Sequence, residues 1–164
     1  GVVLGCGQCL LAPFGSVTQS IGREQLLLVP GCTDAPATVL AFSKSKSSLL
    51  AVGKADSTVA VFSISIQVSS GVHLQQKVVI SFALWGLKPT DTGCVSCLEW
   101  CPRSDAVAVG YSSRGMAVWS ANGTRMMCTL PVLCEPEAKD GELLGRGTHA
   151  LKWSNDGYSL LAVP

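Results

Sequence analysis

The sequence predicts an all-β fold, a partial WD-repeat-like β-propeller of about two to three four-stranded antiparallel blades. Three observations predict it. Short apolar runs bounded by turn residues fill the chain, and such runs form buried strands rather than helices. The runs recur in one order, with the anchor aromatics Phe42, Trp100 and Trp153 spaced 58 and 53 residues apart. The 164 residues are 48% hydrophobic and only 14% charged, against roughly 25% charged in an ordinary soluble domain. Strands covered on both faces need that composition.

The first run group, residues 2–4 and 26–29, reads as the end of a preceding blade with weaker grammar, placed in residues 1–38 with its connecting loop. The first full unit, residues 39–93, opens with Val39-Leu40-Ala41-Phe42-Ser43 and continues through residues 49–53 and 59–63. Its outer strand is expected within residues 78–87, and most of residues 67–93 is expected as a surface-loop insertion. The second unit, residues 94–147, repeats the grammar at residues 96–100, 107–110 and 116–120. Asn122-Gly123 then predicts a hairpin to a fourth strand over residues 125–130, because Asn-Gly suits a type I′ turn with two positive φ angles. Residues 132–147 carry Pro, Glu, Lys and Gly and read as a loop insertion. Residues 148–164 begin a third unit with Ala150-Leu151-Lys152-Trp153-Ser154 and Leu160-Leu161-Ala162-Val163. The chain starts at Gly1 and stops just after an apolar run, whereas natural termini are usually polar. It is expected to be a fragment from within one propeller. Gly1-Val2-Val3-Leu4 lacks the basic start of a signal peptide.

Composition excludes several functions. A disordered chain is poor in apolar residues and rich in net charge. Twelve Lys and Arg against eleven Asp and Glu leave a net charge of +1, which supplies no field to gather nucleic acid or anionic lipid. A membrane span needs about 18 consecutive apolar residues, and every apolar run here is shorter.

The chemical motifs read as structure. Eight cysteines, Cys6, Cys9, Cys32, Cys94, Cys97, Cys101, Cys128 and Cys134, lie mostly in apolar runs, where a free thiol behaves as a small hydrophobe. They read as reduced cytosolic thiols. Cys6-Gly7-Gln8-Cys9 has redox spacing, but that chemistry needs a helix N-terminus at the first Cys, and Pro13 stops any helix. Cys94, Cys97 and Cys101 have C-x₂-C-x₃-C spacing, and Cys6 and Cys9 could complete the four ligands zinc needs. Cys97 lies in a strand, shares its parity with Cys101 around Trp100, and has no His nearby in sequence, so structural thiols are the reading. Gly53-Lys54 lacks the rest of a phosphate-binding loop. His73 reads as a loop residue, and His149 as a structural His just before a strand. Asn122-Gly123-Thr124 matches a glycosylation sequon, which the hairpin explains instead. Arg114 and Arg125 read as solvated surface positions, although Arg is enriched at interfaces. No residue is nominated as catalytic, cofactor-binding or metal-ligating, and no cofactor is expected.

Residues 53–63 resemble the WD-repeat segment that ends in Trp-Asp. Asp56 falls where that family places its turn Asp, and Phe62-Ser63 replaces Trp-Asp. Trp119-Ser120 makes the same departure, and Gly115 precedes its strand without a turn Asp. The family's Asp–His–Ser–Trp hydrogen-bond network is therefore mostly missing, and the resemblance rests on strand order and aromatics.

A more specific resemblance follows. Residues 91–102, 108–120 and 123–130 resemble the N-terminal propeller of the ribosome control protein 1 family, and the run Arg114-Gly115-Met116-Ala117-Val118-Trp119-Ser120 is its most telling part. Leu151-Lys152-Trp153-Ser154-Asn155-Asp156-Gly157-Tyr158 looks like that family's next blade. The family is the WD-repeat large subunit of a Golgi Rab guanine nucleotide exchange factor complex. The resemblance implies a non-catalytic interaction scaffold, not an enzyme. It implies a partner subunit and a Rab GTPase as partners, and a cytoplasmic location peripheral on the Golgi membrane through the complex. A WD-repeat scaffold from another trafficking assembly, a coat or ciliary transport subunit, is the alternative.

Overall fold

A computed structural model describes residues 2–3, 9–11, 27–29, 34–44, 48–67, 71–129 and 147–164. Antiparallel sheets follow one another along the chain. β1 (Val2–Val3), β2 (Cys9–Leu11) and β3 (Leu27–Leu28) form a three-stranded sheet. β4 (Ala37–Phe42), β5 (Leu49–Lys54), β6 (Val59–Gln67) and β7 (Gly71–Ile80) form a four-stranded meander. A 3-10 turn (Ala83–Trp85) and a one-turn helix α1 (Pro89–Thr92) lead to the second meander. That meander is β8 (Val95–Trp100), β9 (Ala106–Tyr111), β10 (Met116–Ser120) and β11 (Arg125–Cys128). β12 (Ala150–Trp153) and β13 (Leu160–Val163) pair as a hairpin. The first strands β4, β8 and β12 lie side by side, as the inner strands of a propeller do. The fold is all-β and propeller-like.

Two local expectations are corrected. The outer strand of the first meander is β7 at Gly71–Ile80, not residues 78–87. Residues 71–80 are therefore strand rather than loop, and His73 stands on an outer strand, paired with Ser65. The chain leaves the sheet at Ser81 because Phe82 turns into the core, 2% exposed, and a helical turn follows, closed by Gly86 at φ 75°. The hairpin at Asn122-Gly123 forms, but only Gly123 has a positive φ, 84°. Ser120 N–H donates to Thr124 O at 2.8 Å and Gly123 N–H to Ser120 O at 2.9 Å. This is a type I turn followed by a left-handed glycine, the three-residue loop of a bulged hairpin. The β5–β6 turn has the same pattern with Ser57 in the left-handed position, at φ 65°. Asp56 Oδ1 steadies it by accepting from Thr58 N–H at 3.1 Å and Thr58 Oγ1 at 2.6 Å.

Alternation along the strands explains why each four-stranded meander buries both faces. Leu50, Val52, Ala60 and Phe62 face Val29, which follows β3. Ala51, Val59 and Val61 face the other way, onto Val95, Leu98, Trp100, Val107, Val109 and Trp119 of the second meander. Ala106, Ala108, Met116 and Val118 face Leu151 of β12. The apolar core thus lies in the seams between consecutive sheets.

The seams share repeated fastenings. Thr38 and Ser96 occupy the bulges that open β4 and β8. Thr38 Oγ1 donates to Val95 O of the next sheet at 2.6 Å, and Ser96 Oγ donates likewise to Thr148 O. In the opposite direction, Trp100 Nε1 donates to Ala41 O at 2.9 Å and Trp153 Nε1 to Glu99 O at 3.1 Å. A net intramolecular hydrogen bond contributes about 0.5–1.5 kcal/mol. Gly53 and Gly110 hold matching places on β5 and β9. A Cβ on Gly53 would collide with Val95, and one on Gly110 would collide with Cys97 and press on Thr148 at 3.1 Å. Glycine at these positions lets the next sheet approach.

Candidate interaction surfaces

No group of three or more His, Cys, Asp and Glu side chains converges as a metal site among the described residues. His73 and His149 are both exposed, on β7 and just before β12. Cys94, Cys97, Cys101 and Cys128 are in the thiol form, outside any disulfide. Burial raises the Cys97 pKa, with Ser96 and the Gly110 backbone opposing it. Burial would raise the Cys101 pKa as well, but hydrogen bonds from Ser104 and Arg103 outweigh it and lower the pKa. Cys97 packs toward β12 with Cys101, on the face away from Trp100. Cys6, Cys32 and Cys134 lie outside the described residues, as does the side chain of Cys9. Among the described residues no helix is long and apolar enough to cross a membrane.

What the described surface offers is contact chemistry, in three places. The first lies on the inner strands. Glu99 Oε1 accepts from Lys44 Nζ at 3.3 Å and from Lys152 Nζ at 3.1 Å, joining three consecutive sheets through one carboxylate. The repeat explains it: Glu99 pairs across to Ala108 as Lys152 pairs to Leu161 and Ala41 to Ala51. The second place is the pair of first-hairpin turns, where Arg103 stands 5.8 Å from the ring centre of Tyr158. Tyr158 is 82% exposed.

The third place is the outer end of the seam between the two meanders. Phe82 anchors the 3-10 turn against Tyr111 and Trp119, with ring centres 5.4 and 5.0 Å away. Trp85 meets Trp119 edge-on at 5.7 Å. Arg125 pairs with Trp119 across β10–β11 and lays its guanidinium 4.7 Å over the Trp85 ring. Arg125 is therefore half-buried and stacked rather than solvated, while Arg114 is exposed as expected. Burial drives the Tyr111 pKa far above the usual phenolic range, against a smaller opposing pull from Trp119. The indole lies near the hydroxyl without meeting hydrogen-bond geometry. Tyr111 Oη, Trp119 Nε1 and Arg125 Nη1 are all buried without a partner. Beside this cluster Leu84 projects into solvent, 89% exposed, and Trp85 is 39% exposed. A shallow groove of about 250 Å³ opens near the β10–β11 turn, lined by Ser104, Asp105, Ser120, Asn122 and Met126.

Sequence reasoning missed the stacked Arg125 and the Glu99 hub. The first has no local signal, because Trp85 and Arg125 meet only through tertiary packing. The second was visible: Glu99 and Lys152 each stand one residue before an anchor Trp.

The stacked sheets and their seams define a propeller-like all-β chain. No family model matches it. Over 126 residues, 73% of the chain, it is 25% identical to the guanine nucleotide exchange factor subunit RIC1 of Mus musculus. The chain spans 8% of the length of that curated relative.

Proposed function

We propose that the chain is a non-catalytic interaction region of a guanine nucleotide exchange factor complex that acts on a Rab GTPase in Golgi and endosome vesicle traffic. The similarity to a guanine nucleotide exchange factor subunit over 126 residues carries this reading. The fold agrees with it: stacked sheets present turns and outer strands to partners while their seams supply the stability. In this reading a second subunit and the GTPase are the partners, and the complex brings the chain to the cytoplasmic face of Golgi membranes.

Affinity purification of the full-length protein tests it. A second subunit and a Rab GTPase co-purify, and the purified complex accelerates release of a fluorescent guanine nucleotide from that GTPase. A complex that holds coat or ciliary-transport subunits and no GTPase overturns the reading in favour of another trafficking scaffold.

A further inference from the structure

We propose that the outer rim where Leu84, Trp85 and Arg125 meet is a docking site for a protein segment that carries a carboxylate beside an apolar side chain. The inference deepens the proposed function, since it takes the segment to belong to another subunit of the assembly.

The unpartnered polar atoms lead to it. Three buried side-chain atoms lack a hydrogen-bond partner among the described residues, and all three belong to this cluster: Tyr111 Oη, Trp119 Nε1 and Arg125 Nη1. Tyr111 Oη and Trp119 Nε1 lie near each other in the buried seam, where the hydroxyl can accept from the indole. Arg125 Nη1 only donates, so the group missing at the rim is an acceptor. Leaving a buried donor unmatched is costly, most of all on a charged group. Both ion pairs among the described residues use Glu99, and neither involves Arg125. A carboxylate fits the guanidinium fork and its charge together. Trp85 holds the guanidinium from one side at 4.7 Å, so its position is fixed before a partner arrives.

The apolar half of the site is equally specific. Leu84 is 89% and Trp85 39% exposed, on a turn fixed by the buried Phe82 and closed by Gly86. A free anion would satisfy Arg125 and leave Leu84 and Trp85 uncovered. A peptide segment with an apolar residue next to its acid covers all three. Trp and Arg are the residue types that dominate binding energy at interfaces. β11 is the outermost strand of its sheet, so the rim is reachable from outside the array.

The test uses the full-length protein in its purified assembly, with a photo-crosslinking residue at position 84. Its crosslink falls in another subunit, within a few residues of an Asp or Glu. Arg125→Glu lowers the yield about tenfold or more, whereas Arg114→Glu on the exposed turn leaves it unchanged. Reversing the acid in the crosslinked segment to Arg restores the yield with Arg125→Glu. Circular dichroism confirms the sheet content of each variant. Should Arg125→Glu not fold, Arg125→Gln keeps the shape and still lowers the yield several-fold. A crosslink to a segment without an acid, a crosslink into residues 130–146 of the same chain, or a yield indifferent to Arg125 overturns the proposal. These outcomes are distinct from failure of the functional reading, which shows as a missing GTPase whatever the crosslink reports.

Discussion

Trp100 and Trp153 hold the same place in successive units but not the same burial. Trp100 is 1% exposed, and its indole N–H reaches Ala41 O across the seam between two complete meanders. Trp153 is half-buried and reaches Glu99 O from the two-stranded β12–β13 sheet. Replacing either by Phe keeps most of the ring and removes the donor, leaving a seam carbonyl unmatched. Loss of a buried partner costs about 1–3 kcal/mol. Trp100→Phe therefore lowers stability by about 2 kcal/mol, and Trp153→Phe by about half as much, because water can reach its acceptor. Urea unfolding midpoints read the order, and equal shifts would contradict it. Tyr111 works in the opposite sense. Its hydroxyl is buried without a partner, so Tyr111→Phe changes stability at neutral pH by less than about 1 kcal/mol. At high pH the two forms diverge. The folded-state pKa lies above the unfolded value near 10, so above about pH 10 only the unfolded chain releases the proton. Wild-type stability then falls as pH rises, and the Phe variant lacks that part of the loss. Unfolding midpoints between pH 8 and 11 check this.

At the scale of elements, the buried strands and the hairpin to β11 were legible, and the outer strand β7 was not. Leu49–Lys54 and Ala106–Tyr111 are buried along nearly their whole length, and their sequences are apolar runs that punctuation isolates. β7 meets solvent on one side and carries His73, Gln75, Gln76 and Lys77, so its composition resembles a loop. α1 did leave a signal. Pro89 stands at its first position, and Asp91 Oδ2 accepts from Lys88 N–H at 2.7 Å. The β12–β13 turn shows how one side chain sets an element. Asp156 Oδ1 accepts from Ser154 Oγ and from Tyr158 N–H. The Ser154 hydroxyl is the larger cause of the lowered Asp156 pKa, and the Tyr158 N–H the next. The sign follows: with the folded pKa below the unfolded one, the carboxylate's contribution is present above the unfolded value near 3.9. It is lost as pH falls through the folded value. The protection of the Tyr158 amide, its NMR exchange rate relative to the intrinsic rate at each pH, falls over that window in the wild type. In Asp156→Asn that fall is absent. An Asn variant with the wild-type profile would show that another group governs the turn.

For the whole molecule, the arrangement of the core decides how the isolated chain behaves. Neither meander has a private interior, because the apolar clusters lie between sheets and each meander lends residues to two of them. Stability is then a sum of neighbour interfaces, and a unit covered on one side is weaker than one covered on both. β12–β13 is such a unit: it packs on β8 and β9, and among the described residues no strand pairs beyond β13. A two-stranded hairpin is marginal without further strands or a packing partner. Leu161 is 65% and Val163 45% exposed on that edge strand. An exposed apolar edge is a template for pairing with another chain. The 164-residue chain on its own therefore self-associates through β13 and melts without a sharp reversible transition. Leu161→Lys places a charge on the edge strand and shifts the sedimentation profile toward monomer, while Trp153 fluorescence keeps its folded emission. A reversible two-state melt of a wild-type monomer would refute the edge argument. So would an association that Leu161→Lys leaves unchanged, because β13 would then not be the contact.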